Sequence, residues 1–137
     1  MVRLKLDPET LGFSSIMERM THANVMDCFK DEETVYFVVS PGMMGKALGK
    51  GGVNIKRLQE KFIKKIKIIE YNDDVCKFVR NVVYPLKLES VTLEESFVKI
   101  QDGSKKTKSL LIGRQSRNLN MLKRAINRFF NIGIKIE

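Results

Sequence analysis

The chain has 137 residues, 43% of them hydrophobic, with 25 Lys and Arg against 16 Asp and Glu, a formal net charge of +9. That composition fits a soluble globular protein and excludes a disordered one, and no apolar run approaches the roughly 18 to 20 residues of a membrane span. The start, MVRLKLDPET, lacks the apolar stretch of a secretory signal. Cys28 and Cys76 stand 48 residues apart with His22 as the one histidine, so neither a zinc cluster nor a disulfide framework is expected. A cytoplasmic location with no membrane partner follows.

In chain order, residues 8–21 read as a helix with Leu11, Ile16 and Met20 among its apolar positions. Residues 24–29 and 34–39 flank Lys30-Asp31-Glu32-Glu33, which reads as a hairpin. Pro41 and Gly42 end the second strand, 43–48 make a short helix, and Gly49–Gly52 interrupts it. Ile55, Leu58 and Phe62 then recur at i, i+3 and i+7, the spacing of an amphipathic helix, and Ile66, Ile68 and Ile69 make a closing strand. The order repeats with a helix near 74–83, strands near 86–92 and 96–101, and a helix near 105–111. A loop at 113–116 follows, then a helix through Leu119, Leu122, Ile126 and Phe129 and a strand at 133–136. The predicted class is α+β: two tandem α-β-β-α-α-β units, 1–72 and 73–137, each a small sheet covered by helices. Units of this size are marginal in buried area, so they are expected to pack together.

A duplication underlies this order. Gly49, Lys50, Asn54 and Leu58 fall on Gly113, Arg114, Asn118 and Leu122 at an offset of 64 residues. Upstream, Tyr36–Gly42 matches Phe97–Gly103 at an offset of 61, so the second copy has three more residues between strand and loop. The positive charge follows the repeat. Residues 46–67 carry eight basic residues against Glu60 alone, and 105–128 carry eight with no acid. Those 46 residues hold +15 while the other 91 sum to −6. Two concentrated blocks on an acidic background are the footprint of a polyanion binder.

Each block contains a glycine loop between two helices. Glycine reaches backbone angles that other residues avoid and lets a ligand backbone approach closely. The next helix offers unpaired N–H groups and its positive dipole end to phosphate. Other chemistries fit poorly. A nucleoside-triphosphate loop needs four residues between its glycines and a hydroxyl after the lysine; here Gly45 stands one residue too close to Gly49 and Gly51 follows Lys50. His22 lacks a Gly-x-Ser-x-Gly partner. The carboxylate pairs Glu32/Glu33, Asp73/Asp74 and Glu94/Glu95 sit in turns or helix starts, and Phe62, Phe129 and Phe130 lie at core spacing.

With Gly49-Lys50-Gly51-Gly52 set between helices in the order α-β-β-α-α-β, the chain resembles the type II KH domain, whose loop holds about four nucleotides of single-stranded RNA. The stretch Pro85-Leu86-Lys87-Leu88-Glu89-Ser90-Val91 is similar to the entry of the second KH domain in NusA, and the short two-unit chain resembles the archaeal NusA-like proteins. The resemblance implies single-stranded RNA binding in transcription elongation or termination, without catalysis or cofactor, with RNA polymerase as a further partner. A monomer is the expected state. The candidate RNA-binding residues are Lys46, Gly49, Lys50, Gly51, Gly52, Val53, Asn54, Lys56 and Arg57 in the first unit. In the second they are Lys108, Gly113, Arg114, Gln115, Ser116, Arg117 and Asn118. Amides of residues 50–53 are expected to hold phosphates, with Leu48 and Ile68 against bases. Ser116 departs from the motif's final glycine, which puts the second clamp in question. The alternative is an interaction module that contacts polymerase or ribosomal components, with RNA binding secondary.

Overall fold

The computed structural model describes residues 7–137; the first six residues of the start, read above for a secretory signal, lie outside the described residues. Among the described residues the chain divides into two compact units, 7–71 and 72–137, and no helix is long and apolar enough to cross a membrane.

In the first unit, α1 (Pro8–Thr21) starts at Asp7, whose carboxylate accepts the Glu9 N–H at 2.9 Å. Pro8 follows where a missing N–H has no helical partner to lose. The helix ends at His22, an exposed residue in the left-handed conformation. β1 (Val25–Lys30) and β2 (Thr34–Val39) form an antiparallel hairpin. Its turn is set by Asp31, which accepts from the N–H groups of Glu33 and Thr34 at 2.9 and 2.8 Å and from the Tyr36 hydroxyl at 2.8 Å. α2 (Met44–Leu48), a single 3-10 turn at Lys50–Gly52 and α3 (Val53–Phe62) lead to β3 (Lys65–Glu70), which pairs parallel to β2. Parallel neighbours require a crossover, and this one carries the glycine loop. Alternate sheet residues Cys28, Val35, Phe37, Val39, Ile66 and Ile68 pack with Met17, Ala47 and Leu58 in one apolar cluster. Phe62 seals it against Phe13, with ring centroids 4.5 Å apart.

The second unit follows the same order. α4 (Val75–Val83) is capped by Asp74, which accepts from Cys76 N–H at 2.9 Å. β4 (Ser90–Leu93) pairs antiparallel with β5 (Phe97–Gln101). α5 (Lys105–Ile112), a 3-10 turn at Arg114–Ser116 and α6 (Arg117–Phe129) lead to β6 (Gly133–Ile136), parallel to β5. Phe78, Val79, Val82, Val98, Ile100, Leu122 and Ile126 are fully buried, and Phe78 lies 5.5 and 5.8 Å from the rings of Phe129 and Phe130.

In α1 the buried apolar residue is Met17, while Leu11 is half exposed. Two readings of the sequence need correction. The strand expected from residue 86 begins at Ser90, because the preceding backbone is engaged elsewhere. Leu86 N–H bonds Val83 O at 3.0 Å, Leu88 O accepts from Arg80 Nη1 at 2.7 Å, and Glu89 N–H bonds the Asp102 carboxylate at 3.1 Å. Ile68, expected against bases, is a member of the apolar cluster and is closed to a ligand; Leu48 packs partly against the same cluster. The three additional residues of the second copy are located in α5, which has eight residues where α2 has five. They add one turn at its N-terminus, capped by Ser104 Oγ accepting from Thr107 N–H at 3.1 Å.

Candidate nucleic-acid interface

α2 ends where Gly49 turns to φ 73°, ψ 167°, its N–H still bonded to Gly45 O at 3.0 Å. Gly51 (φ 66°) and Gly52 (φ 75°) then carry the chain through the left-handed region into α3. Only glycine fits at position 49. Its angles lie where side chains are excluded, and a Cβ there would stand 2.8 Å from Asn54 Cγ. Asn54 is held in that place because its Nδ2 donates to Lys46 O at 2.9 Å, which ties the start of α3 to the last turn of α2. By contrast a Cβ on Gly51 would meet open space, and one on Gly52 would make ordinary contact with Ile55 at 3.6 Å.

The second loop has the same form. Gly113 sits at φ 76°, ψ 172°, its Cβ position 2.8 Å from Asn118 Cγ, and Asn118 Nδ2 donates to Leu110 O at 2.8 Å. Gln115 and Ser116 adopt φ 56° and 59°, so two side-chain-bearing residues hold the left-handed angles that glycines hold in the first loop. The replacement of glycine by Ser116 therefore leaves the loop's path intact. Asn54/Asn118 and Gly49/Gly113 share one offset in the sequence, which is the signal of their contact. The positive φ at Gln115 has no such signal.

These loops place their charge outward. Lys46, Lys50, Gly51, Val53, Lys56 and Arg57 are exposed, with Gly49, Gly52 and Asn54 half-buried beside them. In the second unit Arg114, Gln115, Arg117 and Asn118 are exposed and Lys108, Gly113 and Ser116 half-buried. Lys67 stands apart from the first block: half-buried on β3, its ammonium has a pKa pushed below the ordinary lysine value by desolvation. The backbone donors divide. Gly52 N–H bonds Gly49 O at 3.0 Å and Val53 N–H bonds Lys50 O, so two of the four amides expected to hold phosphate are used inside the loop. Ser116 and Arg117 N–H groups are used in the same way, on Gly113 O and Arg114 O.

The carboxylate pairs lie elsewhere, on the surface. Glu33 faces Lys65 at 3.7 Å, Glu94 faces Lys99 at 3.8 Å, and Asp74 caps α4. Among the described residues, no three His, Cys, Asp or Glu side chains come together as metal ligands would.

The KH domain family model matches residues 14–101, from within α1 to the end of β5. The probable transcription termination protein NusA of Methanocaldococcus jannaschii is 33% identical to the chain, over 96% of the chain and 74% of that protein. The protein of the same name from Methanococcus vannielii is 44% identical over 69% of the chain. The matched stretch spans 54% of that relative's length. Among solved structures, the crystal structure of APE1850 superposes with a TM-score of 0.80 at 29% identity, covering 96% of this chain and all of that one. A glycine loop set between two helices on a β-β-α-α-β frame, and relatives matched along nearly the whole chain, lead to one assignment: the chain belongs to the KH-domain family and, within it, to the NusA-like proteins.

Proposed function

We propose that the chain is a non-enzymatic, single-stranded RNA-binding factor of transcription, made of two tandem type II KH units, 1–72 and 73–137, that grip a nascent transcript beside RNA polymerase in the cytoplasm. The observation that carries this reading is the recurrence of one loop conformation at the head of two basic helices. Gly49 and Gly113 agree within a few degrees in φ and ψ, and each is braced by an asparagine bonded eight residues back. Lys50 and Arg114 occupy the same loop position, both exposed. A cation at the tip, helix dipoles behind it and an exposed backbone hold phosphates without selecting bases. The relatives' names, which describe probable transcription termination proteins, supply the setting.

Binding of labelled single-stranded RNA, duplex RNA and single-stranded DNA across a salt series tests the reading, with a Lys50→Asp, Gly51→Asp variant alongside. Both positions are exposed, a Cβ at Gly51 meets open space, and aspartate tolerates left-handed angles better than most residues, so the variant is expected to fold. Single-stranded RNA should be preferred, and the variant should lose most of that binding. Weak, equal binding to every polyanion, untouched by the substitutions, would reduce the loop to a basic surface.

A further inference from the structure

We infer that Tyr84 is a base-stacking platform for single-stranded RNA, a contact separate from the glycine loops. The inference rests on the RNA-binding reading and extends it. Eight Phe and three Tyr make up the aromatic residues, all of them described. Ten are buried or half-buried, while Tyr84 is 68% exposed. A single exposed apolar residue needs no special account; the surroundings of this one supply it. Residues 75–88 contain the exposed cations Lys77, Arg80 and Lys87, between Asp74, whose carboxylate caps α4, and Glu89, whose carboxylate accepts from Gly103 N–H. Lys77, Arg80 and Tyr84 follow the i, i+3, i+7 spacing of one helix face, and Tyr84 N–H closes the last turn of α4 on Arg80 O at 3.1 Å.

The segment is also held in place. Leu86 N–H bonds Val83 O at 3.0 Å, Arg80 Nη1 reaches Leu88 O at 2.7 Å, and Leu88 is itself buried. An ordered backbone thus presents a phenol ring to solvent on a segment that also exposes Lys77, Arg80 and Lys87, and a ring with nearby cations in sequence is the combination that unpaired bases and their phosphates recognise. Bases offer π faces whatever their identity, so the contact adds affinity with little sequence preference. Duplex RNA, with its bases stacked inside, gains nothing from the ring.

The test compares Tyr84→Ala, Tyr84→Phe and Tyr84→Trp for binding to a labelled mixed-sequence single-stranded RNA, with circular dichroism confirming the fold. Removing one stacking partner should weaken binding about 5- to 150-fold. The Phe and Trp variants should bind as tightly as the parent or more so, with duplex binding unchanged throughout. The chain has no Trp, so Tyr84→Trp emits from one indole, whose fluorescence should be quenched as RNA is added. Full RNA affinity in Tyr84→Ala, or an indole indifferent to bound RNA, overturns the inference. If the parent protein binds no single-stranded RNA at all, the failure lies in the RNA-binding reading. Loss of binding in the Lys50→Asp, Gly51→Asp variant with none in Tyr84→Ala would leave that reading standing and remove only this one.

Discussion

At the scale of single residues, the two loops form a natural substitution series on one backbone. Where the first loop has Gly51 and Gly52, the second has Gln115 and Ser116 at nearly the same positive φ. A left-handed L-residue costs about 1 kcal/mol or somewhat more, partly offset because glycine loses more freedom on folding. Gln115→Gly and Ser116→Gly should therefore each raise stability by a few tenths to about 1 kcal/mol, read as a higher urea midpoint. The opposite ends of the loops respond differently. Gly49→Ala and Gly113→Ala force a Cβ to within 2.8 Å of an asparagine side chain that is already hydrogen-bonded, at angles essentially closed to side chains. Each should cost on the order of 2 to 3 kcal/mol. Gly51→Ala, with nothing within 4 Å of the new Cβ, should cost only about 1 kcal/mol. Equal losses at positions 49 and 51 would mean that neither the backbone angles of Gly49 nor the asparagine brace sets that position apart.

At the scale of elements, that brace adds a polar tie between helices that are connected by a three-residue turn and share the apolar core. Asn54 and Asn118 each reach a carbonyl in the final turn of the preceding helix, a group with no helical donor of its own. Asn54→Ala and Asn118→Ala should each cost about 1 kcal/mol, and RNA affinity should fall further than stability does, because the loop is freed while its charge stays. Unchanged affinity in a folded Asn54→Ala variant would show that the brace serves folding alone. Much of this architecture was legible beforehand because its signals are local. Apolar spacing at Ile55, Leu58 and Phe62 marked α3, and Pro41-Gly42 marked the end of β2. The start of β4 was not legible, since it depends on which groups Arg80 and Asp102 bond, and those partners are eight and thirteen residues away. Ile68 was misread for a related reason. An apolar residue near a basic loop looks available to a ligand until the sheet shows which face it occupies. Positive φ at Gln115 was invisible because the loop's path is imposed by Gly113 and Asn118, not by the local preference of glutamine.

At the scale of the whole molecule, charge is segregated against an acidic background: two blocks of 46 residues together hold +15 on a chain of net +9. Such a distribution makes binding depend on salt through counterion release, with log K falling by about 0.7 per unit of log salt for each phosphate neutralised on a single strand. This gives a means to ask whether both loops act on the same RNA. Lys50 and Arg114 are exposed and occupy the same place in their loops, so Lys50→Gln and Arg114→Gln each remove one cation without disturbing either core. If both loops hold one strand, each substitution should reduce the slope by about 0.7 and the double variant by about 1.4. On short RNA the two effects should separate, because a strand that reaches one loop gains nothing from the other. On longer RNA they should appear together, as the first contact raises the effective concentration for the second. A slope that changes with Lys50→Gln but not with Arg114→Gln, at every RNA length, would confine RNA to the first unit. The Gln115-Ser116 loop, held at left-handed angles despite its residues, would then have to serve another ligand.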